Sequence, residues 1–140
     1  PQPQHPAQVN FGQKLTLTGY DMAEKPGFGY DLRPYIPLRL YWRTLETLDP
    51  SYLISLRLLD AAGNVVAHQE DRLVSAWYPV SRVSPGLPIL DVFQFPLPAK
   101  ISPGKYRLEI AVWDADLSAA LPLEDGASYW TIGSIEVNVN

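Results

Sequence analysis

Few side chains in this sequence carry chemistry beyond that of an ordinary protein surface. There are two histidines, His5 and His68, and no cysteine, so a cysteine nucleophile is excluded and a zinc site lacks its usual ligands. A Ser-His-Asp arrangement must use one of those two rings. His5 stands among prolines and glutamines at the start of the sequence, and His68 alternates with Val66 and Glu70 in a strand-like run. Neither is placed to activate a serine. No Gly-x-Ser-x-Gly, phosphate-loop or dinucleotide fingerprint occurs. Asp114, Asp116, Glu124 and Asp125 flank one loop, and oxygen-rich loops hold calcium in some sandwich domains, but a solvated acidic loop explains them as well. The expectation is no catalytic residue, no metal ligand, no cofactor and no enzymatic activity in this chain.

Aromatic side chains are the stronger signal, with four tryptophans and eight tyrosines in 140 residues. A flat ring stacks on the C–H face of a pyranose while nearby arginines and carboxylates bond its hydroxyls. Trp77-Tyr78, Tyr30, Tyr35 and Tyr129-Trp130 fall in or beside predicted loops, where a platform of that kind is presented. Trp77, Tyr78 and Trp130 are the candidate stacking rings for carbohydrate, with Arg82 and Asp125 as their polar partners. Against this stands the common use of aromatics at strand ends to close a core or to meet a neighbouring domain.

The elements that must position these residues follow from alternation. Ile36, Leu38, Leu40 and Trp42 share one face of a run whose other face holds Arg39, Tyr41 and Arg43, a separation that only a strand produces. Tyr52, Ile54, Leu56 and Leu58 alternate in the same way before Asp60-Ala61-Ala62-Gly63-Asn64, and Val65 to Asp71 returns as the partner of a hairpin, with Gly63 supplying a positive φ. Leu15 and Leu17, then Ile89, Asp91, Phe93 and Phe95, then Tyr106, Leu108, Ile110 and Val112, and finally Ile135, Val137 and Val139 complete the inward sets. The core is expected to be aliphatic, with Trp42, Tyr52 and Tyr106 at its edges. Fourteen prolines, about twice the usual share of roughly 5%, sit mostly between these runs and argue against long helices. The fold expected is all-β: an antiparallel two-sheet sandwich of about seven to nine strands, immunoglobulin-like or carbohydrate-binding-module-like. Residues 1–8, with three prolines and no large apolar side chain, read as a linker, and 9–140 as one domain.

Charge and hydropathy bound the partners. Fifteen acidic against eleven basic side chains give a net charge of −4, which offers nothing to a polyanion, so no nucleic-acid partner is expected. No apolar run approaches the roughly 20 residues that span a bilayer, so no direct membrane insertion by this chain is expected.

The order of the pieces carries a resemblance. Val9-Asn10-Phe11-Gly12, Leu15-Thr16-Leu17-Thr18-Gly19-Tyr20-Asp21, Pro37-Leu38-Arg39-Leu40-Tyr41-Trp42-Arg43 and Leu56-Arg57-Leu58-Leu59-Asp60 come first. Tyr78-Pro79, Pro85-Gly86, Pro103-Gly104-Lys105-Tyr106-Arg107-Leu108 and Trp113-Asp114 follow them. Together they resemble the soluble C-terminal β-sandwich of polytopic bacterial glycosyltransferases of the dolichyl-phosphate-mannose-protein mannosyltransferase type. The resemblance implies a non-catalytic accessory domain on the extracytoplasmic face of a bacterial membrane. Such a domain packs on the membrane-embedded portion of its parent or positions a glycan acceptor. It transfers no catalytic residue. The alternative is an independent carbohydrate-binding or adhesion module.

Overall fold

A computed structural model of the chain describes residues 2–48, 52–73, 83–116 and 118–138. Its strands are β1 (His5–Phe11), β2 (Leu15–Met22), β3 (Gly27–Phe28), β4 (Pro34–Thr44), β5 (Tyr52–Leu59), β6 (Val65–Arg72), β7 (Pro88–Pro96), β8 (Gly104–Asp114), β9 (Ala119–Ala120) and β10 (Trp130–Val137). All pairings are antiparallel. One sheet runs β1-β2-β4-β7, with β3 extending the β2 side of β4, and the other runs β10-β8-β5-β6, with β9 extending the β10 side of β8. The eight long strands are those of a β-sandwich, and the two-residue β3 and β9 are too short to leave a periodic trace in sequence. Among the described residues no helix is long and apolar enough to cross a membrane.

The inward sets close on one another as their alternation requires. Ile36, Leu38, Leu40 and Trp42 of β4 and Phe93 and Phe95 of β7 face Ile54, Leu56 and Leu58 of β5 and Leu108, Ile110 and Val112 of β8 in a single buried cluster. Leu90 and Val92 on the opposite side of β7 are exposed. Trp42 departs from its expected place at the core's edge. It is fully buried, its ring tilted 58° against that of Phe11 at 5.7 Å, because Phe11 enters from β1 to fill the space beside it.

The first strands depart from expectation in two places. β1 begins at His5, inside the segment expected to be a linker, and β2 continues past Gly19 to Met22. The β2–β4 register shifts between Leu17 and Gly19, and the β1–β2 register between Pro6 and Val9. The bulge in β2 changes which residues face inward. Leu15 and Leu17 are in phase with Thr44 and Trp42, whereas beyond it Tyr20 and Met22 are in phase with Leu40 and Leu38. A period-two reading therefore ends at Thr18. The turn joining these strands carries Gly12 at φ +62° and Gln13 at +57°, the two left-handed central residues of a tight turn closed by the Lys14 N–H on the Phe11 carbonyl.

The β5–β6 hairpin forms as expected. Asp60 accepts from the backbone N–H groups of Asn64 at 2.8 Å and Ala62 at 3.0 Å, and Gly63 sits at φ +88°. The Asn64 amide, ahead of the other donors, holds the Asp60 carboxyl below its ordinary range. A Cβ at Gly63 meets no atom within 4 Å, so Gly63→Ala isolates the backbone effect. Its expected cost is about 1–2 kcal/mol of stability, the penalty for an L-residue held left-handed. Urea denaturation measures it, and an unchanged midpoint would show that the turn relaxes.

Candidate functional site

The open side of the sandwich, where the edge strand β1 of one sheet approaches the edge strand β10 of the other, holds a cleft of about 240 Å³. Gln8, Val9 and Asn10 form one wall, and Leu123, Glu124, Asp125 and Trp130 form the other. Pairing builds the first wall: Val9 and Asn10 lie opposite Leu17 and Thr16 of β2, and the Thr16 hydroxyl donates to Asn10 Oδ1 at 2.6 Å. Asn10 Nδ2 then donates across the cleft to Glu124 Oε1 at 3.3 Å, joining residues 114 positions apart in sequence.

The second wall is a folded loop. Leu123 N–H donates to the Ala127 carbonyl, Gly126 N–H donates to the Leu123 carbonyl, and Asp125 Oδ1 accepts the Ala127 N–H at 2.9 Å. Gly12 N–H donates to the Pro122 carbonyl at 2.8 Å and ties this loop to the β1–β2 turn. Trp130 opens β10 opposite Ile110. Tyr20 meets its indole edge-on at 5.9 Å between ring centroids, and His5 stacks on Tyr20 at 4.9 Å. That row of rings fixes the indole at the cleft wall, and the half-turn of phase introduced by the β2 bulge is what brings Tyr20 to it.

Of the side chains expected to contact carbohydrate, Trp130 and Asp125 come together in this cleft. Trp77, Tyr78 and Arg82 lie outside the described residues. Tyr30 is fully exposed, and neither it nor Tyr35 lines the cleft. Tyr129 has a different environment: the Arg57 guanidinium lies 3.6 Å from its ring centroid, and its hydroxyl is 3.2 Å from Ser55 Oγ. Gln8 and Asn10 were not singled out as site residues in the sequence, and Glu124 was named only as part of the acidic loop. Gln8 lay in the presumed linker, and no local pattern reports that β1 will face the loop before β10.

The chemistry available is that of a small polar site with one aromatic wall. Two carboxylates accept hydroxyl hydrogen bonds, two amides both donate and accept, and the indole offers an apolar surface. The volume is below the roughly 300–1,000 Å³ of pockets that enclose drug-sized ligands, so the cleft suits one ring rather than a chain of them. Among the described residues no three or more His, Cys, Asp or Glu side chains gather as a metal site, and the acidic residues around the β8–β10 connection serve in part as turn acceptors, Asp114 for the Asp116 amide and Asp125 for Ala127.

No protein-family model matches the chain, and no curated protein matches it. Among solved structures the chain is similar to one described as "Crystal structure of the C-terminal domain of wzt", with a TM-score of 0.58 and 15% sequence identity, over 99% of this chain and 83% of that one. The likeness is one of fold, and it agrees with the β-sandwich derived above. It also corrects one expectation. The extracytoplasmic location rested on the glycosyltransferase resemblance, and the structural match is to a domain of wzt, which points away from that location. What the chain shares with its neighbour is the sandwich, carried over nearly its whole length.

Proposed function

We propose that this chain is a non-catalytic β-sandwich module that recognises a glycan through the cleft between β1 and β10. The observation that carries the proposal is the convergence of Trp130, Asp125, Glu124, Asn10 and Gln8 in that cleft. An aromatic wall beside acceptors and amides is the chemistry that a pyranose ring, with its C–H face and its rim of hydroxyls, requires. Two carboxylates and no lining cation favour a neutral sugar over a uronic or sialic acid. The finer reading rests on the sequence resemblance: an accessory domain of a membrane glycosyltransferase that packs on its parent or positions an acceptor glycan.

The test is a heteronuclear NMR titration with a panel of neutral mono- and disaccharides. Shifts are expected at the Trp130 indole N–H and at the amides of Gln8, Asn10 and Asp125, with affinity in the millimolar range for a single ring. Trp130→Ala is expected to weaken binding roughly two- to twelve-fold, the equivalent of one ring contact worth about 0.5–1.5 kcal/mol. Gln8→Ala and Asp125→Asn, at the cleft's rim, are expected to weaken it with no loss of thermal stability. Absence of localised shifts up to tens of millimolar across the panel would remove the proposal.

A further inference from the structure

We infer that the free edge of β7 is a self-pairing surface, through which a second copy of this chain continues the β1-β2-β4-β7 sheet by antiparallel pairing centred on Val92. Among the described residues β7 pairs only with β4, so its other side is the edge of that sheet. Edge strands in soluble proteins are usually blunted by charge, proline or irregularity. The other edges here follow that rule. β1 carries Pro6 and a bulge, β10 has a bulge between Thr131 and Gly133, and β6 exposes His68, Glu70, Asp71 and Arg72. β7 does not. Its sole charge, Asp91, is buried on the inward face, and the outward residues Leu90, Val92 and Gln94 are exposed and uncharged.

The hydrogen-bonding groups of this edge fit their own rotated image. Leu97 N–H donates to the Pro34 carbonyl of β4, so the odd-numbered positions at that end of β7 point toward β4 and the even-numbered ones point away. Pro88 and Pro96, which have no N–H, fall on the outward alternation, as prolines at sheet edges do. The outward amide donors are therefore Leu90, Val92 and Gln94. Rotation about a two-fold axis at Val92 sets Val92 opposite Val92, Leu90 opposite Gln94 and Pro88 opposite Pro96 of the second copy. Each of the first two kinds of pair exchanges both N–H···O bonds, and the prolines meet where no donor is left. The same rotation lays the exposed Val92 side chains together and each Leu90 against the stem of Gln94. Shifting the register by two residues sets a proline opposite Leu90 or Gln94, whose outward carbonyl then receives no N–H. A self-complementary patch of this kind is what a closed two-fold pair needs.

A strand pair of this length buries less than the roughly 1,200–2,000 Å² of stable interfaces, so the association is weak and concentration-dependent. Sedimentation of the chain from about 10 μM to about 1 mM is expected to show the mass rising from 15.7 kDa toward that of a dimer. The Leu90, Val92 and Gln94 amides are expected to gain protection from hydrogen exchange over the same range. Val92→Lys sets two ammonium groups together at the axis and is expected to hold the protein monomeric at its wild-type melting temperature, since the side chain is exposed. Val92→Pro removes the central donor without adding charge and is expected to do the same. A wild-type chain that stays monomeric at 1 mM, a dimer that survives both substitutions, or protection that appears on another edge would each overturn the inference.

Discussion

Leu40→Ala and Ile110→Ala are each expected to lower the unfolding free energy by about 2–5 kcal/mol. Leu40 lies on β4 and Ile110 on β8, an interior strand of each sheet, and both side chains are fully buried. Neither site can refill from solvent, so each truncation loses the transfer energy of the removed carbons and leaves a cavity between two rigid layers. Urea denaturation at constant m-value measures the loss. The exposed Leu90, on the edge strand β7 beside β4, supplies the contrast: Leu90→Ala is expected to stay within about 0.5 kcal/mol of the parent. Equal effects at Leu40 and Leu90 would show that the two inward faces do not enclose one core.

The second large effect is expected on the outer face of the other sheet. Glu109 of β8 is nearly covered, its side chain 11% exposed, and it is held between two guanidinium groups. Arg57 Nε donates to Oε1 at 2.8 Å and Arg107 Nε to Oε2 at 3.2 Å, while the Thr131 hydroxyl reaches Oε2 at 3.4 Å. Arg57 in turn lies against the Tyr129 ring. Glu109→Ala removes the acceptor that both arginines share and is expected to cost about 1.5–3 kcal/mol, in the range of hydrogen bonds to charged groups. A double-mutant cycle with Arg57→Ala isolates the coupling, and additive losses would show that the two side chains act independently.

The same carboxylate sets a pH dependence. Burial pushes the Glu109 carboxyl up, but the hydrogen bonds and positive charge of Arg57 and Arg107 more than offset this, and its pKa lies below the ordinary glutamate value. A carboxylate lowered in the folded state contributes stability that is present above the unfolded pKa and is lost as pH falls through the folded one. The acid limb of the stability curve is therefore expected to flatten in Glu109→Ala, and an unchanged limb would assign the dependence to other carboxylates.

Strands buried on one face were legible because nothing interrupts their period. In β4, β5, β7 and β8 the residues that alternate in sequence, from Ile36 to Trp42 and from Tyr106 to Val112, are those that meet in the core. β1 was not legible. His5, Pro6, Ala7 and Gln8 form an edge that buries little, and its order comes from β2 rather than from its own composition. Tyr20 and Met22 escaped because the bulge before Gly19 reverses the face on which a fixed period would place them. The cleft was half legible. Trp130 and Asp125 border the loop that forms one wall and were named from that position, whereas Asn10 and Gln8 reach it only through the approach of the two sheet edges. The remaining named residues, Trp77, Tyr78 and Arg82, lie in a stretch outside the described residues.

The chain visits its two sheets in turn: β1 to β4 build the first, β5 and β6 begin the second, β7 returns to the first, and β8 to β10 complete the second. On the ribosome this order has a cost in time. β4 emerges with β2 to pair with, but its other side waits for β7, and at roughly 5–20 residues per second the wait between Thr44 and Pro96 is roughly 3–10 s. Through that interval Leu38, Leu40 and Trp42 have only the β5–β6 hairpin to cover them, since β8 follows later still. The hairpin, local and closed by the Asp60–Asn64 turn, is the one part of the second sheet that can form at once, and it becomes the nascent chain's first shield.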